Sequence, residues 1–440
     1  MLKVIRQEKA TQPYPRGIIE TEWPLLDWLQ SKNSILAKGT NDDEEDKLGF
    51  AGRGETWKRL RIFLQTDLLS PQAAAGYIPA MVKAANFASK VAPSSADALN
   101  AYANRCSFDL FNSLMFGQLT KTACIDTCED EENNLQFCTS TAKGMDDLFM
   151  QMTSPAQVIL FQLGIKTSMY KDMADSFDTV FSIAERRVQS FRQRSEANEL
   201  TEDEKNSYLS RAIARQKEEK DNISETDLME LVKIALTAAI DTTSSVLKWN
   251  MMHLALNLDV QERLHAELVE STMKHGGLNA EVLRKVNVPY LHAVIRETHR
   301  ITPAAPLTVF KETLADVEIH GTNIKKGSVV VLDAYSVGMD IVDEPNEFRP
   351  ERWLPDEVEA RKGTDQILLD HPFYREPFSQ GSRKCPGSRV ASNEVLIMIS
   401  QLILDWKISV PEGFTRDDVT YRMHHGMVHP DLPRLSFEPR

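Results

Sequence analysis

The chain's 440 residues, 42% hydrophobic and 26% charged, are ordinary for a soluble globular protein and enough for a large core. A net charge of −13, with no interleaved basic–aromatic patch, excludes general nucleic-acid binding. Five scattered cysteines (106, 124, 128, 138 and 385) exclude a secreted disulfide framework, and no apolar run reaches 18 residues, so no transmembrane anchor is encoded.

The opening MLKVIRQEKA is basic, but Glu8, Glu20 and Glu22 argue against a transit peptide. Residues 42–46 (DDEED) suit a solvated loop. A helix is expected through Gly54–Arg61, with Trp57 and Arg61 four apart on one face; on residue type alone it is a basic amphipathic helix with its tryptophan in the core. Helices fill most of 70–190, with breaks near Pro71, 92–95 and Ser154-Pro155. Cys124 and Cys128 have a C-x-x-x-C spacing without a second ligand pair, which favours surface or helix contacts over a metal. Residues 192–224, strongly charged, suit an exposed helix-and-loop connection.

Ser224 to Asp227 (SETD) resembles an N-terminal cap, and a long helix is expected over about 226–257. It contains Ala238-Ala239-Ile240-Asp241-Thr242-Thr243, whose threonines are mediocre helix residues, so a local widening there would open a groove. Glu297 and Arg300 lie three apart on a further helix. Short β segments fit 306–333, with hairpin character at Gly321-Thr322-Asn323. Phe348 to Trp353 reads FRPERW, and an apolar helix is expected over 388–408.

The most informative stretch is Phe378 to Gly387, FSQGSRKCPG. A lone cysteine in a turn is usually a structural thiol. Here Cys385 stands among Gly381, Gly387, Arg383 and Phe378, the set a haem-thiolate loop needs. Glycine lets the backbone approach a flat macrocycle, loop N–H groups tune the sulfur, and arginine pairs with a propionate.

F-x-x-G-x-R-x-C-x-G is the signature of the cytochrome P-450 family, which this chain resembles at every fixed position and in the order of its other motifs. The resemblance implies a mainly α fold with small β-sheets in one large helix-rich domain over 1–440, with the first helix and first strands expected to be missing because the opening segment resembles an internal part of family members. It implies haem b with Cys385 as axial ligand and metal ligand. Arg383, Trp57, Arg61, Phe378, Gly387 and Lys311 would contact the cofactor, Lys311 standing where arginine is common. Thr242 would hydrogen-bond iron-bound dioxygen and Asp241 would relay protons, with Ala239 replacing the usual glycine and narrowing the groove. Glu297, Arg300 and Arg352 would form a buried supporting triad.

The activity implied by the resemblance is that of a monooxygenase. It would take dioxygen and two single electrons and hydroxylate a lipophilic molecule, sterol-like or isoprenoid by resemblance to the family's mitochondrial clan. Apolar Phe149, Met150, Met152, Val309 and Phe310 fit such a ligand. The same clan resemblance implies a matrix-side inner-membrane location and a small acidic ferredoxin docking on His292, Arg296, Lys384 and Arg389, with a flavin reductase as the other donor. Two further readings stand beside it: a relative that rearranges peroxides without electron donors, against which Asp241-Thr242 argues, and a truncated haem-binding or haem-free protein without turnover.

Overall fold

The computed structural model describes residues 11–13, 24–39, 48–52, 54–91, 93, 96–124, 131–218, 222–313, 315–319, 321–375, 377–424 and 427–440. The acidic run 42–46 and Cys128 lie outside them. The first part runs β1 (Thr11–Pro13), α1 (Pro24–Ser31), α2 (Glu55–Leu69), α3 (Pro71–Ala88), α4 (Ala96–Phe116), α5 (Glu131–Thr153), α6 (Pro155–Gln162) and α7 (Ser168–Glu196). The middle holds α8 (Glu202–Lys205), α9 (Tyr208–Lys217), α10 (Glu225–Leu256), α11 (Leu258–His275) and α12 (Pro289–Ile301). After β2 (Leu307–Thr313), β3 (Val317–Ile319), β4 (Thr322–Ile324) and β5 (Val329–Asp333) come α13 (Ala334–Asp340), α14 (Pro355–Ala360), α15 (Pro372–Arg375) and α16 (Ser388–Asp405). The chain closes with β6 (Trp406–Ser409), β7 (Tyr421–His424), β8 (Met427–Pro430) and β9 (Ser436–Pro439). Helices thus dominate, and the sheets are small and antiparallel: β1-β2-β5, β3-β4, β6-β9 and β7-β8.

α10 is the axis. Asp227 N–H donates to Ser224 Oγ and Ser224 N–H to Asp227 Oδ2, each at 3.0 Å, so a capping box satisfies two donors at its start. A helix apolar on most sides has to be covered, and α4, α7, α16 and β8 cover this one. The main core runs through them, with Phe63, Tyr77, Phe108, Leu231 and Ile397 among its members. A second cluster seats Trp28 of α1 against Phe177 of α7, and a third surrounds Trp353.

Two of the expected element boundaries and environments differ in the fold. The connection over 192–224 is not merely an exposed link: Tyr208, Leu209, Ala212 and Ile213 form one face of α9 and enter the main core. The high charge of that stretch masks a four-residue period that is plain once the helix start at Ser207 is fixed. The helix after the cysteine ends at Asp405, short of 408. Trp406–Ser409 pairs instead with Ser436–Pro439, and the buried Gln261 amide imitates a strand partner, accepting from Ile408 N–H at 2.9 Å and donating to its carbonyl at 2.8 Å.

Candidate functional site

Cys385 sits two residues before Gly387, the N-cap of α16. Its N–H donates to the Phe378 carbonyl at 2.9 Å, and Lys384 N–H to Gly381 carbonyl at 3.1 Å, closing the loop on itself. Gly381 has φ +85°, a left-handed conformation that glycine adopts at no steric cost. Phe378 and Cys385 are half-buried. Burial pushes the Cys385 thiol up; a hydrogen bond from Gly387 N–H and the charges of Arg61 and Lys384 pull it back.

Two arginines stand close to Cys385, Arg61 from α2 and Arg383 within the loop itself. Arg61 of α2, 7% exposed, donates to Gln65 Oε1 at 2.9 Å and to the Lys384 carbonyl. Among the described residues no carboxylate pairs with it. Burial lowers its pKa and the charge of Cys385 opposes that. Arg383 lies over the Trp57 ring at 4.1 Å and bonds the Gly52 carbonyl. Trp57 therefore supports Arg383, a partnership that its spacing to Arg61 does not reveal. Lys311 lies in β2, paired with Val330 and Pro13; its side chain is outside the described residues, as are those of Val309 and Phe310.

Across the core, α10 exposes Ala238 and Thr242 while Asp241, Thr243, Ser244 and Ser245 are buried. Residues four apart share a face, so this is one accessible stripe in the middle of the helix, apart from the exposed Glu225 and Thr226 at its start. The expected widening is not there: the helix is α throughout, with Thr242 Oγ1 bonded to the Ala238 carbonyl at 3.0 Å. That bond absorbs the hydroxyl within the helix, so no break is needed to satisfy it. Ala239 is half-buried against the main core. Two residues without a sequence signal join the stripe's buried side. His429 of β8 places Nε2 3.5 Å from Asp241 Oδ2, and Glu394 of α16 accepts from Thr243 Oγ1 at 3.3 Å.

On α12, Glu297 and Arg300 are fully buried and bidentate: Arg300 Nη2–Glu297 Oε1 is 2.8 Å and Nε–Oε2 is 3.0 Å. Arg352 Nε reaches Glu297 Oε1 at 3.3 Å, and the same carboxylate accepts from Trp353 Nε1 at 2.8 Å and Arg349 N–H at 3.0 Å. Arg300 also donates to the carbonyls of Gly338, Pro345 and Glu347 at 2.8–3.2 Å. Gly338 is required by contact rather than by φ, because a Cβ there would lie 2.9 Å from the Arg300 carbonyl oxygen.

The two cations expected to face outward on α12 are turned inward. His292 Nε2 sits 2.9 Å from the Leu283 carbonyl, and burial holds its pKa below the usual imidazole range, so it adds no charge at neutral pH. Arg296 stacks over Trp353 at 4.3 Å. Lys384 is half-buried and Arg389 exposed. Phe149 is half-buried, Met150 and Met152 are exposed, and Cys124 donates Sγ to the Phe87 carbonyl at 2.7 Å.

Comparison with known proteins places this arrangement. The family model described as Cytochrome P-450 matches residues 30–437. Cytochrome P-450 98A1 of Sorghum bicolor is 33% identical over 211 residues, 47% of this chain and 39% of that protein. The mitochondrial sterol 26-hydroxylase of Mus musculus is 36% identical over 180 residues, 40% of this chain and 32% of that protein. Cytochrome P-450 76C1 of Arabidopsis thaliana is 25% identical over 432 residues, 93% of this chain and 78% of that protein. The first two matches thus span less than two fifths of those relatives' length.

Proposed function

The chain belongs to the cytochrome P-450 family, and from that premise we propose that it is a haem-dependent monooxygenase hydroxylating a lipophilic small molecule. The observation that carries it is that Glu394 of α16 links the two halves of the site: it accepts from Thr243, next to the accessible Ala238 and Thr242, and its charge acts on Cys385, which stands beside Arg61 and Arg383. The residues fit the cofactor. A buried guanidinium held by a side-chain amide and a carbonyl still carries its charge, which a propionate would meet. The thiol stands at a helix start, with an N–H and two cations favouring its anion.

When bound, haem would supply dioxygen activation, which electron donation from the Cys385 thiolate would assist. Cys385 is the ligand, and Phe378, Gly381 and Gly387 shape its loop. Arg61 and Arg383 would hold the propionates, with Lys311 as a further point charge and Trp57 fixing Arg383. Thr242 lies on the open side of α10, where its hydroxyl would turn from the Ala238 carbonyl to donate to an oxygen ligand, and Asp241 on the buried side would hold a proton for delivery. Glu297, Arg300 and Arg352 brace the segment ahead of the loop.

The substrate class is sterol-like or isoprenoid, in keeping with the similarity to a mitochondrial sterol 26-hydroxylase. Electrons come singly from a redox partner, of ferredoxin type, which Lys384 and Arg389 beside the loop would attract. The location is the matrix face of the inner mitochondrial membrane. Among the described residues no helix is long and apolar enough to cross a membrane. α6 buries none of its residues, and Ile159, Leu163 and Ile165 there and just after it are 56%, 69% and 50% exposed, as an interfacial helix requires. Ile159→Glu/Leu163→Glu should lower partition onto phospholipid vesicles about tenfold, each apolar anchor contributing roughly 1.5–3 kcal/mol at most; an unchanged pelleted fraction would remove this location's physical support.

The decisive test is the carbon monoxide difference spectrum of reduced, haem-reconstituted protein. The red-shifted Soret band of a thiolate-ligated carbonyl is expected in the wild type and its complete loss in Cys385→Ala. No band in soluble wild-type protein would favour a haem-free or non-catalytic role.

A further inference from the structure

Asp241, Ser245 and Trp249 recur every four residues and form one face of α10. That face is clamped to β8. The Val428 carbonyl accepts from Ser245 Oγ at 2.8 Å and from Trp249 Nε1 at 2.7 Å, while Val428 N–H donates to the Ala304 carbonyl at 2.8 Å. Three hydrogen bonds on one residue fix the strand's register, and the next residue, His429, is thereby delivered to Asp241. Both side chains are nearly closed to solvent, 5% and 7% exposed, with 3.5 Å between Nε2 and Oδ2.

At 3.5 Å the two atoms stand at ion-pair distance, so in this dry interior the Asp241 carboxylate favours the charged form of the His429 ring. The surrounding charges come from several elements. Lys248 of α10 itself is pulled down to about 8 by burial and back up by Asp241; Arg422 of β7 and Asp146 of α5 act on the same lysine. Arg422 is exposed, with Nε 3.8 Å from Asp431, and Asp146 is exposed too. From α16, Glu394 faces Thr243 instead. Lys248 is thus coupled both to Asp241 and to the exposed Arg422 and Asp146, and Arg422 is the strand partner of His429 across β7 and β8.

We infer that His429 is a positioning residue that supplies protons to Asp241. The imidazolium gives its Nε2 proton to Asp241 Oδ2, leaving neutral imidazole and a carboxylic acid, and the imidazole takes a proton back from solvent at the Arg422 rim. This rests on the proposed role of Asp241 beside Thr242, but the pair itself is testable without it.

The first experiment tracks the His429 ring by NMR in histidine-labelled protein, with His429→Gln assigning the signal. Asp241→Asn should lower the ring's titration midpoint by about one pH unit, a tenfold loss of proton affinity. An unchanged midpoint overturns the proposal whether or not haem binds. The second feeds haem-loaded protein from a ferredoxin and ferredoxin-reductase pair and compares oxygen consumption in H2O and D2O. His429→Gln, which keeps polarity but has no ionisable proton, should consume oxygen about tenfold more slowly, with a larger solvent isotope effect and an unaltered carbon monoxide band. Wild-type rate and isotope effect in His429→Gln overturn the proton role even if the midpoint shifts. A wild type lacking the carbon monoxide band would count against the monooxygenase reading instead, and the NMR titration alone would then judge the pair.

Discussion

Replacing Arg300 by leucine is expected to destabilise the protein by about 3–5 kcal/mol, the range for breaking a buried ion pair from one side. The loss is not the attraction itself. Glu297 would keep a full negative charge at 0% exposure, with Arg352, Trp353 and the Arg349 N–H still donating to it. Three carbonyls, of Gly338, Pro345 and Glu347, would lose the guanidinium that bonds them. These lost hydrogen bonds are part of those roughly 3–5 kcal/mol and are not added to them. Arg300→Lys should recover little, because an ammonium has no fork to span Glu297 and these carbonyls together. The double variant Arg300→Leu/Glu297→Leu should be more stable than the sum of its singles, since it removes the stranded charge. Urea unfolding measures all three; a loss below about 1 kcal/mol for Arg300→Leu would mean that solvent reaches Glu297.

The same network shows what a sequence can carry. Glu297, Arg300 and Arg352 are legible because two motifs have fixed spacing. Trp353 stands in one of those motifs with nothing in its type to assign it a role, yet it donates to Glu297 and is the platform for Arg296. The capping box at Ser224 is legible for the same local reason, as its partners lie three residues apart. His429 is not. It belongs to a short hairpin with no motif, and only the clamp at Val428 brings it to Asp241. Nor is the inward turn of His292 legible: helical spacing fixes a face, whereas its partner Leu283 comes from the preceding connection. The expected widening at Thr242 fails because a back-bond to Ala238 satisfies the hydroxyl inside a regular helix. Local chemistry is readable in the chain; contacts between distant elements need the fold.

Glu394→Gln should reverse the usual direction of a core substitution and stabilise the protein at alkaline pH. Burial pushes this carboxyl up to about 8, and the hydrogen bond from Thr243 only partly offsets it. Its ordinary value is 4.5, so between pH 4.5 and 8 the folded chain holds a proton that the unfolded chain has released. Stability then falls as pH rises through that window, by up to roughly 1.4 kcal/mol per pH unit, and levels off above the folded value. Glutamine keeps the shape and the acceptor for Thr243 but never ionises. The difference between variant and wild type should therefore be near zero at pH 5 and reach about 3–5 kcal/mol in favour of the variant at pH 9. Other titrating groups cancel in that difference, which urea unfolding across the pH range measures. A flat difference would mean that Glu394 is ionised or hydrated in the folded protein. The chemistry makes a neutral Glu394 useful: its negative charge would act on Cys385, raising the cost of a thiolate there. At pH 7 both the acid and the amide are neutral, so Glu394→Gln should leave the carbon monoxide band of the loaded protein in place, while Glu394→Ala, which empties the buried site under Thr243, should weaken it.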